Sequence, residues 1–167
     1  MSSTLIEATT QDRSDGIPEH HRADVHVRSE LVSGTATQVS VDTGTFTWTI
    51  DEPEGLGGTN LGANPVEHLF AALGSCTVIT YQVWAAQLGL TIEQISVDVD
   101  GAIDTRGFFG LDDTVRPGFA DIAVKVTVSG PESLQDYLRL ADAVAQHCPV
   151  LDNLSHGARI HRTFATA

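Results

Sequence analysis

The stretch Asn64–Leu88, NPVEHLFAALGSCTVITYQVWAAQL, decides the fold. Asn64 is a good helix N-cap, Pro65 suits the first helical position, and Glu67 stands where a capping box needs its acid. Val66, Leu69, Phe70, Leu73, Thr77, Tyr81, Trp84 and Leu88 then recur at helical spacing. Ala71, Ala72, Gly74, Ser75 and Cys76 keep the middle narrow, so a second backbone or helix can approach closely. A helix apolar on most sides is buried rather than laid on a surface. The prediction is one long central helix with Cys76 inside its narrow zone.

Upstream, residues 1–22 are polar, broken by Gly16 and Pro18, and without period, which predicts a loosely held tail before a single domain over 23–167. His20 and His21 are adjacent, the wrong spacing for a metal pair on a helix face. From Ala23 the pattern is extended, with Val25, Val27 and Leu31 alternating with polar residues. Thr35–Asp42 (TATQVSVD) and Thr45–Ile50 (TFTWTI) flank the turn signal Thr43-Gly44, so a three-stranded antiparallel meander is expected. The Gly-rich loop Asp51–Ala63 (DEPEGLGGTNLGA) matches neither common phosphate-binding pattern and has no nearby cation. Backbone permissiveness on the way into the helix accounts for it better.

Downstream, Gly89 is a candidate C-terminal cap, Ile92–Ile103 and Phe119–Val128 read as strands, and Asp104–Gly118 (DTRGFFGLDDTVRPG) joins them. A second helix is expected from Pro131 to His147, ending at Cys148-Pro149 because the residue before a proline is disfavoured in the α region. Val150–Gly157 reads as a turn or short helix and Arg159–Phe164 as a last strand. Front strands, helix, strand pair, helix and strand together predict an α+β fold.

The 167 residues suit one domain with a sizeable core. Net charge is −13, and the nine basic residues are eight arginines and Lys125. Such acidity excludes nucleic acid and anionic membranes as natural partners. There is no uninterrupted apolar run of membrane-spanning length and no charged-then-apolar leader, which predicts a cytoplasmic protein. In that compartment two cysteines point to reduced or redox-active thiols rather than a structural staple.

Cys76 and Cys148 lie 72 positions apart, so they form no CxxC, and two sulfurs alone do not specify zinc. A lone free cysteine is usually a small buried hydrophobe. Here each stands at a punctuated position, one in the narrow helix middle and one at a helix end against proline. If the two helices pack, the sulfurs come close. A thiolate can attack a peroxide O–O bond, become a sulfenic acid and condense with a second thiol to a disulfide that an external dithiol reduces.

The blocks NPVEHLFAALGSC and HCPVLDNL resemble the OsmC/Ohr family of thiol-dependent organic hydroperoxide reductases, and DEPEGLGG and DTRGFFGLDDTVRPGF extend the likeness. The resemblance covers nearly everything from Ala23 onward. It implies an intertwined homodimer with antiparallel sheets around long central helices and active sites at the subunit interface. It implies that Cys76 is the peroxidatic and Cys148 the resolving thiol. Alkyl or lipid hydroperoxides are the implied substrates and a dithiol or lipoylated protein the implied reductant, with no metal or organic cofactor. The alternative is a binding or stress-response module that kept the fold and lost turnover.

Two family residues carry over less directly. The Ohr-type glutamate directly after the helix-opening proline is here Val66, and Glu67, one step later, matches OsmC-like variants. Nine residues of helix separate Glu67 from Cys76, roughly 13.5 Å of rise, so Glu67 reaches a catalytic cysteine only in a partner subunit, or else serves only the cap. The family's thiolate-holding arginine falls near Gly34-Thr35, where none stands. Arg28 is the nearest candidate and Arg106 the reserve, each set against the plain reading of an exposed charge. His147 beside Cys148 reads as a helix-terminal histidine on backbone carbonyls. Phe108, Phe109 and Phe119 are candidates for an apolar pocket wall or for ordinary packing. Trp48 and Trp84 are assigned to packing.

Overall fold

The computed structural model describes residues 16–166. The long helix runs as expected. Pro65–Leu88 is α1, its Asn64 side chain accepting from the Glu67 N–H at 2.9 Å and the Glu67 carboxylate accepting from the Asn64 N–H at 2.7 Å. Gly89 closes it in the left-handed region, at φ 67°. Before it stand β1 (Arg28–Leu31), β2 (Val39–Asp42) and β3 (Thr47–Ile50), an antiparallel sheet in the order β1-β2-β3, shorter than the sequence pattern suggested. Val41 is the one buried side chain of that sheet.

The Gly-rich loop is folded around Asp51, which is fully buried at the end of β3. Its carboxylate accepts from the Thr37 hydroxyl at 2.7 Å, the Thr59 hydroxyl at 2.7 Å and the N–H groups of Glu52, Thr59 and Leu61. Thr37 ahead of β2 and Thr59 in the loop are thereby tied to one point. A Cβ on Gly58 would run into the Glu52 carbonyl, and one on Gly62 into that of Thr49. Close backbone approach is the reason for these glycines, as expected for a crowded turn.

After α1 come β4 (Gln94–Gly101), the short α2 (Thr105–Phe108), β5 (Ile122–Ser129), α3 (Leu134–His147) and α4 (Pro149–His156). β4 and β5 form a separate antiparallel ladder, Ile95 opposite Val128 and Val99 opposite Val124. α3 starts later than the sequence suggested, because Ser133 caps it: its Oγ accepts from the Asp136 N–H, and Pro131 stays outside. The expected last strand at Arg159–Phe164 is absent. Ile160 and Phe164 are 82% and 87% exposed, and no strand of the described chain pairs with this segment.

α1 packs on β4 along one side and against α3 and α4 along another. Tyr81, Ala85, Leu140, Val144 and Cys148 form the dry centre, with Cys76, Trp84 and Ile95 around it. The expectation of a helix buried on most sides needs correcting for the single chain. Ala72, Ser75, Ile79, Gln82, Val83 and Ala86 face outward on a stripe that carries no charge. Length and mean hydropathy alone would let α1 cross a membrane, as they would for many core helices. Its buried Leu73, Thr77, Tyr81 and Ala85 place it at the centre of a globular fold instead.

Candidate active site

Cys76 sits at mid-length on α1, and Cys148 is the hinge residue between α3 and α4. Pro149 forces the extended backbone of Cys148, φ −81° and ψ 110°, so one residue ends α3 and caps α4. Its N–H still donates to the Val144 carbonyl at 3.0 Å. The packing of α3 and α4 on α1 then sets the two sulfurs 3.5 Å apart. A disulfide bond is about 2.05 Å long, so about 1.5 Å remains to be closed. Cys148 is 1% exposed and Cys76 is half-buried, so Cys76 is the sulfur nearer to solvent.

The first turn of α4 faces both sulfurs. Val150 N–H points at Cys76 and Leu151 N–H at Cys148, so unsatisfied helix-terminal donors meet groups able to carry negative charge. Thr80 reaches both sulfurs through its hydroxyl, and the Thr77 hydroxyl lies 4.0 Å from Cys148 Sγ. Burial pushes the Cys76 thiol up, and the Val150 N–H offsets this only in part. Burial also opposes a charge on Cys148. There the Leu151 N–H, the Cys76 thiol and the two threonine hydroxyls outweigh it and hold the thiol below its ordinary value. In the pair, one proton is shared and the charge is favoured on the deeper sulfur.

The residues assigned from sequence divide clearly. Cys76 and Cys148 are brought together. Glu67 stays in its capping box, where its carboxylate takes the Asn64 N–H. Arg28 lies on the exposed β1, its guanidinium 2.6 Å from Glu30, and hydrogen bonding to that carboxylate raises its pKa. Arg106 is paired with Asp104 and Asp112. His147 donates or accepts at the Ala143 carbonyl, at 2.7 Å, and lies against Trp84, which accords with the helix-terminal role. Of the phenylalanines, Phe119 lines an apolar cleft of about 370 Å³ between α1, α4 and β5, next to Leu73 and Leu151. Phe108 and Phe109 are stacked on each other and exposed. Among the described residues no cluster of three or more His, Cys, Asp or Glu is placed to hold a metal.

Sequence reading missed the two threonines. Thr77 was absorbed into the apolar stripe and Thr80 passed unremarked. The usable signal was a pair of hydroxyl residues one and four positions after a cysteine in an otherwise apolar helix, where a buried hydroxyl needs a partner.

Comparison with known proteins agrees with this arrangement. The family described as OsmC-like protein matches over residues 58–161, from the Gly-rich loop past α4. The chain belongs to the OsmC-like family. The OsmC-like protein of Mycoplasma pneumoniae superposes with a TM-score of 0.68 at 20% identity, covering 80% of this chain and 89% of that one. An organic hydroperoxide resistance protein OsmC from Legionella pneumophila gives 0.61 at 16% identity, covering 81% and 91%. The organic hydroperoxide resistance protein of Elizabethkingia anophelis gives 0.58 at 19%, covering 81% and 90%. At these identities the structures establish the shared fold. No match was found among curated protein sequences. For this OsmC-like chain, the family also accounts for the α+β layout of antiparallel sheets around a long helix.

Proposed function

We propose that this OsmC-like protein is a thiol-dependent peroxidase that reduces organic hydroperoxides, alkyl or lipid, through Cys76 and Cys148. The observation that carries the reading is the 3.5 Å separation of two sulfurs remote in sequence, both facing the N-terminus of α4. Cys76, the more accessible sulfur, attacks the peroxide and becomes a sulfenic acid. Cys148 condenses with it, and an external dithiol, a small thiol or a lipoylated protein, reduces the disulfide. The cleft lined by Leu69, Leu73 and Phe119 supports an apolar organic group on the substrate. The reading calls for no metal or organic cofactor, and places the protein in the cytoplasm as part of oxidative-stress defence.

The functional unit we propose is a homodimer, in which the uncharged outward stripe of α1 meets its copy. Arg28 and Glu67 enter the chemistry only there, by reaching the partner's sulfurs. The decisive experiment is consumption of cumene or tert-butyl hydroperoxide with dithiothreitol. Wild type should turn over and Cys76→Ser should not. Equal consumption by both would leave a binding module with the fold and without the chemistry. Mass spectrometry after one equivalent of peroxide should find Cys76 and Cys148 joined.

A further inference from the structure

A thiolate at neutral pH usually needs a cation beside it, since an ordinary thiol is only a few per cent ionised there. Within this chain neither arginine candidate supplies one. The ionisable groups on the elements packed against the sulfurs are also engaged elsewhere. Tyr81 of α1 has its pKa raised by burial and by Asp142 of α3. His147 of α3 is bound to a backbone carbonyl, and Asp152 of α4 pairs with His156 at 3.0 Å. What does face the pair is a set of neutral donors, and most of them converge on the deeper sulfur.

We propose that Cys148 serves Cys76 first as a base and only afterwards as its resolving partner, with Thr77 and Thr80 turning their hydroxyls onto Cys148 while it carries the charge. Thr77 is suited to this. Its hydroxyl donates to the Leu73 carbonyl at 2.8 Å, yet that carbonyl already receives a helix N–H, so the hydroxyl can leave it without orphaning an acceptor. Thr80 stands in the same relation to the Cys76 carbonyl, at 2.7 Å. Both threonines are positioning residues, buried at 5% and 7% exposure.

This inference rests on the peroxidase reading and specifies its first step. The Cys148 thiolate takes the proton of the Cys76 thiol across the 3.5 Å contact. The resulting Cys76 thiolate attacks one oxygen of ROOH; the O–O bond breaks, its electron pair leaves as RO⁻, and the sulfur becomes S–OH, oxidised by two electrons. The proton held on Cys148 passes to RO⁻, giving ROH. Cys148, again a thiolate, attacks the Cys76 sulfur and expels hydroxide, which water protonates. A dithiol of the class already named returns the two electrons.

The test is a single turnover. Reduced protein is mixed with one equivalent of cumene hydroperoxide across a range of pH, and Cys76 sulfenate is trapped with dimedone and quantified by mass spectrometry. Cys148→Ser should form sulfenate about tenfold or more slowly than wild type at pH 7, because Cys76 must then ionise unaided, and should recover toward the wild-type rate in alkali. Thr77→Val should shift the rate's pH midpoint upward and Thr77→Ser should return it. Undiminished sulfenate formation by Cys148→Ser at pH 7 would overturn the proposal and leave Cys148 as a resolving thiol only. Should Cys148→Ser fail to fold, an unmoved pH midpoint in Thr77→Val overturns it. Failure of the wider peroxidase reading looks different: sulfenate-free wild type, or peroxide loss that persists in Cys76→Ser, removes both.

Discussion

At the scale of single residues, Asp51 is the clearest case of a side chain whose charge holds backbone in place. Hydrogen bonding from Thr37, with Thr59 and Leu61 adding to it against the burial penalty, keeps its carboxyl well below the usual carboxylate range. A folded-state pKa lowered in this way contributes stability that is fully present above the unfolded value near 4 and is lost as pH falls through the folded one. Asp51→Asn should therefore lower the melting temperature at pH 7 by several degrees and flatten the decline seen on acidification below about pH 4. Thermal melts at pH 7 and pH 3 check both. Leu140 gives a purely apolar comparison. It is 0% exposed at the centre of the α1–α3 packing, and Leu140→Ala should cost about 2–5 kcal/mol in urea unfolding with little pH dependence.

At the scale of elements, α1 was legible because each of its signals is local. The cap, the proline, the acid of the capping box and the closing glycine all act within one turn of the residues that carry them, and all are found in place. Asn64→Ala should remove the accepting end of that box and cost about 1 kcal/mol, measurable by chemical denaturation. α4 was half-legible, since Pro149 marks its first turn but eight residues are too few to show a period. The start of α3 was misjudged because Pro131 and Ser133 both look like openings, and the serine's reciprocal bonding with Asp136 decides it. In the site, the meeting of Cys76 and Cys148 followed from two apolar helix faces that had to pack. The threonine hydroxyls and the α4 N–H groups did not follow, because their role appears only once three helices set their donors around the sulfurs. Asp51 escaped notice for a related reason: an acid bounded by proline and glycines looks like any turn acid until its five donors are assembled around it.

At the scale of the whole molecule, the described chain is an incomplete object. It exposes 13,040 Å², where a compact globule of 17.8 kDa would expose about 8,000 Å². The β1–β3 sheet buries one side chain, the Arg159–Phe164 segment has β-strand character and no neighbour, and α1 turns Ile79 at 62% and Val83 at 48% exposure to the outside. A strand acquires its ladder only from another strand, and an uncharged stripe this long on a central helix is costly to leave in water. One second copy answers all three, since each copy brings an open sheet, an open helix face and unpaired strand edges of its own. The expected solution species is therefore twice the chain mass by sedimentation equilibrium. The double variant Ile79→Glu/Val83→Glu sets four carboxylates against one another across such a contact and should shift the species toward monomer. If Arg28 and Glu67 act on the partner's sulfurs, that variant should also lose peroxide turnover while its 3.5 Å sulfur pair, built within one chain, still oxidises to the Cys76–Cys148 disulfide under slow chemical oxidation. A monomeric variant with full turnover would instead confine the chemistry to the single chain and leave Arg28 and Glu67 to their surface and capping roles.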